Sequence, residues 1–281
     1  MRRIITFGLL SCAILLIIYG YHFVALTDKH FHLIFCNVGQ GDGILIRSST
    51  GRTVIIDGGP HENSLTDCLS RHLPLWQRQI DAVYLTHPDA DHLAGLIQVV
   101  RTYNVKYFGT SKAPKTTEVY KELMNVLQEK GIPVEWVFRG DKMLVKDGLS
   151  ITTQWPTKDF INNPSDETND YSLVQLVKYG NFSALLTGDI PSIYLNSIMQ
   201  TIDRLDVFKP PHHGSKTGMD EFTLQYVVPS FAVLSFGYHN RYHHPSPEIL
   251  SLLKNANIPY KDTLKGDIEI VSDGKKWWLK N

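Results

Sequence analysis

The stretch Tyr84-Leu-Thr-His-Pro-Asp-Ala-Asp-His-Leu-Ala-Gly-Leu96, YLTHPDADHLAGL, sets two histidines and two aspartates within six positions, directly after an apolar run. Packing carboxylates and imidazoles together costs free energy unless positive charge sits among them. The preceding AVYLT (Ala82 to Thr86) reads as a strand, and a helical pattern follows from about Asp91 to Tyr103. The cluster therefore lies on a loop at a strand's end. His87 with Asp89, and Asp91 with His92, are placed to hold two neighbouring cations. Simpler roles exist for parts of it: Asp91 fits a helix N-cap, and Pro88 would restrict His87 in any fixed turn.

Two further segments repeat the theme. FKPPHHGSKTG carries His212 and His213, and SFGYHNRYHHPSPE carries His239, His243 and His244, so seven of the twelve histidines fall in three short stretches. All three lie near predicted strand ends. One histidine is usually structural; three such segments point to a metal site. VIIDGG ends one predicted strand at Asp57, and ALLTGD ends another at Asp189. Acidic residues at strand ends converge on a crevice, although Gly and Asp are also ordinary turn residues.

Around these segments short β-rich runs alternate with amphipathic stretches. FHLIF (31–35), GILIR (43–47) and TVIID (53–57) read as strands, residues 115–130 as a helix, and SLVQLVKYG with FSALLTGD as a hairpin turning at Gly180-Asn181. AVLSFG reads as a late strand and 247–256 as a helix. No Pro/Ser-rich linker intervenes, so one mixed α/β domain is expected over residues 28–281.

Residues 4–26 are almost continuously apolar behind Arg2 and Arg3, about the length that spans a bilayer. Residues 1–27 are thus read as a transmembrane signal anchor. The paired arginines put the N-terminus in the cytoplasm and the domain outside it; secretion after signal cleavage is the competing reading. Lys+Arg and Asp+Glu balance at 28 each, so net charge neither calls for nor excludes a polyanionic partner. Basic residues would have to act locally: Lys209, Lys216 and Arg241, or the C-terminal Lys265, Lys275, Lys276 and Lys280. Cys36 and Cys68 read as two buried thiols.

The order NVGQGDG, IDGG, THPDADHLAGL, NDYSLV, LLTGD, PPHHGSKTG, NRYHHPS resembles the hydrolase domain of the ComEC DNA-uptake (competence) proteins, within the metallo-β-lactamase superfamily. The resemblance implies an αββα sandwich, preceded here by one transmembrane helix. It implies a first metal facing His87 and Asp89, a second facing Asp91 and His92, Asp189 bridging them, and His244 completing the second position with His243 as its neighbour. Asp57 would orient the ligand loop. His213, or else His212, resembles the histidine near a leaving group. Asp42, Asn169, Ser215, Lys216 and Asn240 fall in motifs that would surround the metals or the substrate.

Three departures matter. Asp89 stands where most superfamily members have histidine. A further histidine ligand has only Asn169 and Ser172 as equivalents, and Asn37 stands where the ComEC-like motif more often has Asp. An oxygen-rich first position favours Mn²⁺ or Mg²⁺ over Zn²⁺. The implied activity is metal-dependent phosphodiester hydrolysis, most simply of single-stranded DNA, with the DNA-uptake machinery as partner. The alternatives are a different substrate, such as an envelope phosphodiester or a small molecule, and a domain that binds DNA or a partner without catalysis.

Overall fold

The computed structural model describes residues 2–114, 117–162, 165–238 and 240–280; within the first helix the side chains of residues 2–6, 21, 22, 24 and 25 are not described. After that helix (Arg2–Leu26) the chain folds into two face-to-face sheets with helices on both outer faces. The first sheet has eight strands, in the order Trp277–Lys280, Ile268–Ser272, Phe31–Phe35, Gly43–Arg47, Thr53–Gly58, Ala82–Leu85, Phe108–Thr110, Val134–Trp136. The second has seven: Tyr260–Asp262, Phe231–Leu234, Val207–Lys209, Phe182–Leu186, Val174–Tyr179, Leu149–Trp155, Lys142–Leu144.

Strand alternation builds the layers. Val54 and Ile56 face the other sheet, with Phe31, Leu33, Val177 and Leu186. Their neighbour Ile55 faces outward beneath the helices Ser64–His72, Ala90–Thr102 and Glu118–Glu129. The second sheet is covered likewise by Ser192–Met199 and Pro247–Asn255. Two-residue parity then carries Asp57 to the same side as Ile55, under the start of Ala90–Thr102. Gly58 and Gly95 let that helix lie close: a Cβ on Gly95 would stand 2.0 Å from the Gly58 carbonyl oxygen. This contact seats the ligand loop on the sheet.

The expected strands at 31–35 and 43–47 and the hairpin at Gly180-Asn181 are present, Tyr179 pairing with Phe182. Of the 115–130 helix, Glu118–Glu129 is helical, and residues 115 and 116 lie outside the described residues. The cysteine reading is corrected: Cys36 and Cys68 form a disulfide, with Cα atoms 5.9 Å apart. Packing of Ser64–His72 beside the end of Phe31–Phe35 brings them within bonding geometry. The expected anchor segment is helical, yet among the described residues no helix is long and apolar enough to cross a membrane.

A polar network ties the C-terminal strands to the N-terminal ones. Glu269 meets His32 at 2.6 Å and His72 at 3.5 Å, and Asp267 meets His72 at 3.0 Å and Arg71 at 2.8 Å. Burial alone would raise the carboxyls of Glu269 and Asp267, but the His32 and His72 bonds to the first, and the His72, Asn37 N–H and Arg71 bonds to the second, hold both below the usual range. His72 moves up: burial opposes its charge, and the two carboxylates outweigh burial. The carboxylate contribution is complete above the unfolded values, about 4, and is lost as pH falls toward the depressed folded ones. The His72 contribution is complete below about 6.5 and is lost as pH rises through its raised folded value. Glu269→Gln is therefore expected to cost about 3 kcal/mol near pH 6 and less at pH 3 and pH 9. Urea unfolding at the three pH values checks this, and a loss independent of pH would refute the network's role.

Candidate metal centre

Three imidazoles and their carboxylate partners meet where the two sheets' strand ends face each other. His87 and His92 come from the loop and helix after Ala82–Leu85; Asp189 follows Phe182–Leu186; His213 follows Val207–Lys209. Three buried groups lie together in each of the sets His87–His92–Asp189 and Asp42–Asp189–His213, and Asp91 joins His92 and His213 in another, each set's ligand atoms within 4.8 Å of one another. Asp189 Oδ2 stands 3.3 Å from His92 Nε2 and 3.4 Å from His213 Nε2, which is 3.4 Å from Asp91 Oδ2.

Each ring is oriented from behind. His92 Nδ1 lies 2.7 Å from Asp57 Oδ2, and Asp57 also accepts bonds from the Thr86 N–H and hydroxyl, at 2.8 and 2.7 Å. Asp57 itself holds φ 58°, a left-handed conformation uncommon outside glycine. His213 Nδ1 donates to the Ser235 carbonyl at 2.9 Å, and His87 Nδ1 faces the Thr86 and Ser172 hydroxyls at 3.0 and 3.3 Å. A histidine whose Nδ1–H is engaged presents Nε2 as a lone-pair donor.

Those Nε2 atoms are the decisive feature. In His87, His92 and His213 they are buried without hydrogen-bond partners, as is Asp189 Oδ1. Four such groups facing one another are costly unless cations join them. Burial disfavours the charged forms of His92 and His213, but Asp189 in both cases, with Asp57 beside His92, holds their pKa values well above the ordinary value. Burial, then His92, pushes His87 down. The donor set fits divalent metal: three imidazole nitrogens, Asp189 and Asp91 at the core, and Asp89 Oδ2 at 3.9 Å from His87 Nε2. Asp89 also accepts from the Thr168 hydroxyl at 3.0 Å.

The two histidine pairs stand at different depths in the site. His213, expected near a leaving group, lies within the carboxylate cluster. His244, expected as the last ligand, is half-buried at its edge, its Nδ1 buried without a hydrogen-bond partner and its ring 5.3 Å from that of His212. Asn240 fixes that loop, accepting from the His244 N–H at 2.7 Å and donating to its carbonyl at 2.8 Å. His212 stands at the open side with Nε2 3.8 Å from Asp189, and Asn169 Nδ2 lies 3.4 Å from its Nδ1. His243 is exposed, Ser215 bonds Thr217 instead of facing the cluster, Lys216 lines a separate cavity beside Asp220, and His239 lies outside the described residues.

One expectation is overturned. Lys209 cannot guide a phosphate backbone, because it is fully buried; its Nζ stands 2.5 Å from Asp42 and donates to the Gly188 carbonyl at 3.1 Å. Strand parity carried the signal: Val207 faces the sheet interface and Phe208 the outer helices, which turns Lys209 inward. Burial would raise Asp42, but Lys209 and then His213 hold it low. Lys209→Met removes the main countercharge of buried Asp42 and should destabilise the fold by about 3 kcal/mol. In a cycle with Asp42→Asn the losses should be non-additive by about 1 kcal/mol or more; strict additivity in urea unfolding would show the pair uncoupled.

Fold and site together are those of a metallo-β-lactamase-like αββα sandwich with a cluster of donors fit for divalent metal. Residues 36–158 match the family model described as Metallo-beta-lactamase superfamily. The chain is similar to ComE operon protein 3 of Bacillus subtilis, with 27% identity covering 92% of this chain and 34% of the relative, and to Competence protein ComA of Neisseria gonorrhoeae, with 25% identity covering 89% and 34%. Recombination protein 2 of Haemophilus influenzae is 24% identical over 88% of this chain and 30% of its own. The chain thus spans about a third of the length of these relatives. Among solved structures, the fold matches the diiron β-hydroxylase CmlA from Streptomyces venezuelae, with TM-score 0.56 and 12% identity over 90% of this chain and 54% of that one. It also matches Zn²⁺-bound PqqB from Methylobacterium extorquens, with TM-score 0.54 and 12% identity over 86% and 99%.

Proposed function

We propose that the chain is a phosphodiesterase that cleaves single-stranded DNA outside the cytoplasm, held to the membrane by its N-terminal helix. The observation that carries the hydrolase part is the ring of buried, unpartnered imidazole and carboxylate atoms around Asp189. Two divalent cations held there supply charge neutralisation for a phosphate and an activated water. The residues do the positioning. Asp57, Ser235 and the Thr86–Ser172 pair lock His92, His213 and His87 with Nε2 inward. His212, on the open side, is placed to meet a departing oxygen. Asp89 and Asp91 add oxygen donors that suit Mn²⁺ or Mg²⁺.

DNA as substrate rests on the similarity to relatives named for competence and recombination. Extracytoplasmic placement is supported by the Cys36–Cys68 disulfide, since such bonds persist in oxidising compartments. The anchor is supported by a 25-residue helix that exposes Phe7, Leu9, Leu10, Ile14, Leu15, Leu16 and Ile17. At its end Tyr19 and Phe23 pack on Trp76, with ring centres 5.0 and 5.8 Å away. Aromatic residues of this kind favour the membrane–water interface.

The test incubates the purified chain with single-stranded DNA and with bis(p-nitrophenyl) phosphate in Mn²⁺, Mg²⁺, Zn²⁺ or chelator. Metal-dependent cleavage of unrelated oligonucleotides supports the reading. Turnover of the small diester with intact DNA would move the substrate to another phosphodiester, and metal binding without any turnover would leave a binding domain.

A further inference from the structure

A cavity of about 500 Å³ opens beside the metal cluster, bounded by Gln40, Pro60, Asp89, Asp91, Arg241 and Tyr242. Its volume is that of a small-molecule site. Because Asp89 and Asp91 belong to both, whatever fills the cavity adjoins the reacting phosphate. Its outer wall is unusual for a solvated loop. Tyr242 is 53% exposed, yet it is held on both sides of the chain. The Arg241 guanidinium sits 5.2 Å from its ring centre and donates to its hydroxyl at 3.1 Å. The ring lies nearly parallel to His244, 5.8 Å away at 15°.

The loop beneath is equally fixed. Asn240 binds the Gly237 carbonyl at 3.0 Å as well as both backbone groups of His244. Gly237 packs so close to the Gln40 backbone that a Cβ would stand 2.6 Å from the Gln40 nitrogen. The Gly237 N–H donates to Gln40 Oε1 at 3.1 Å, which fixes the amide. Gln40 Nε2 is left buried with no hydrogen-bond partner. A rigid aromatic wall, an arginine at the rim and an unmet amide donor make a combination suited to a planar, carbonyl-bearing ring attached to a phosphate.

We propose that this cavity seats a nucleobase of the bound strand next to the scissile phosphate. On binding, Arg241 leaves the Tyr242 ring for the adjoining phosphate and the base takes its place on that face, while Gln40 Nε2 donates to a base carbonyl. The inference rests on the DNA reading and gives it a structural basis that the metal cluster alone lacks. It also explains why Gln40 and Arg241–Tyr242, from opposite ends of the sequence, are held against each other.

The experiment uses the full chain loaded with Mn²⁺ and two fluorescent probes: a short oligothymidylate, and the same backbone carrying abasic sugars. Binding is read by anisotropy at early times. Stacking on one aromatic is worth roughly 5- to 150-fold in affinity, so the wild type should prefer the base-bearing probe by about tenfold or more. Tyr242→Ala should erase that preference, and Tyr242→Phe should restore it. Equal weakening of both probes by Tyr242→Ala, or equal binding of both by the wild type, overturns the subsite while leaving the nuclease reading intact. Failure of the wild type to bind either probe, with bis(p-nitrophenyl) phosphate still hydrolysed, overturns the subsite and the DNA reading together.

Discussion

Asp189→Ala is expected to reduce hydrolysis by roughly a thousandfold or more, the equivalent of about 4 kcal/mol of lost charge stabilisation, and to strip the protein of metal. Among the described residues, Asp189 is the one carboxylate that faces His92, His212 and His213 at once, at 3.3, 3.8 and 3.4 Å from their Nε2 atoms. It is 3% exposed, and its backbone N–H is fixed to the Ser172 hydroxyl at 3.1 Å. Burial alone would raise its pKa, yet His213 and then His92 hold it well below the usual carboxylate range, so the group is an anion ready for cations. Without it, two inward-facing imidazoles lose the counter-charge that favours their protonated forms, and a metal held there would lose a carboxylate ligand. Metal content by elemental analysis, turnover of bis(p-nitrophenyl) phosphate and circular dichroism separate the outcomes. A folded variant with full metal content and undiminished turnover would remove Asp189 from the centre. Asp189→Asn, which keeps the shape and removes the charge, should behave like Ala if charge is what matters.

The part of this centre that a reader of the sequence can find is the part carried by local pattern. Asp57, His87, Asp91, His92 and Asp189 all stand at the ends of clearly apolar strands or at a helix start, where strand parity and turn residues fix their placement. What the pattern does not carry is the meeting of segments far apart in the chain. Lys209 and Asp42 are 2.5 Å apart because parallel pairing of Val207–Lys209 with Phe182–Leu186 drives a lysine between the sheets. The Cys36–Cys68 bond depends on how Ser64–His72 docks. Ile268–Ser272 closes the first sheet against Phe31–Phe35 across more than 230 residues, and no local signal announces that pairing. Tertiary contact decides each of these, and contact is the quantity that propensity and periodicity leave open.

The adjacent histidines pose the same problem in miniature, and their variants should separate sharply. His213→Ala is expected to lower metal content and to cut turnover by roughly a thousandfold; His244→Ala should keep the metals and lose about tenfold or less, through the substrate side of the site. The reason is geometric. His213 is 1% exposed, donates Nδ1–H to the Ser235 carbonyl, and points Nε2 at Asp91 and Asp189, 3.4 Å from each. His244 lies at the edge of the cluster; its ring packs between those of His212 and Tyr242, its Nδ1 is buried without a hydrogen-bond partner, and its loop is held in place by Asn240. Burial, with His212 and His213 nearby, pushes its pKa down to about 4, so at neutral pH it is an uncharged ring suited to packing or to a metal. Metal stoichiometry distinguishes those two uses directly. If His244→Ala strips metal while His213→Ala retains it, then the loop over residues 240–244 moves inward when cations bind, and His213 returns to the leaving-group side where the ComEC-like motif order first placed it.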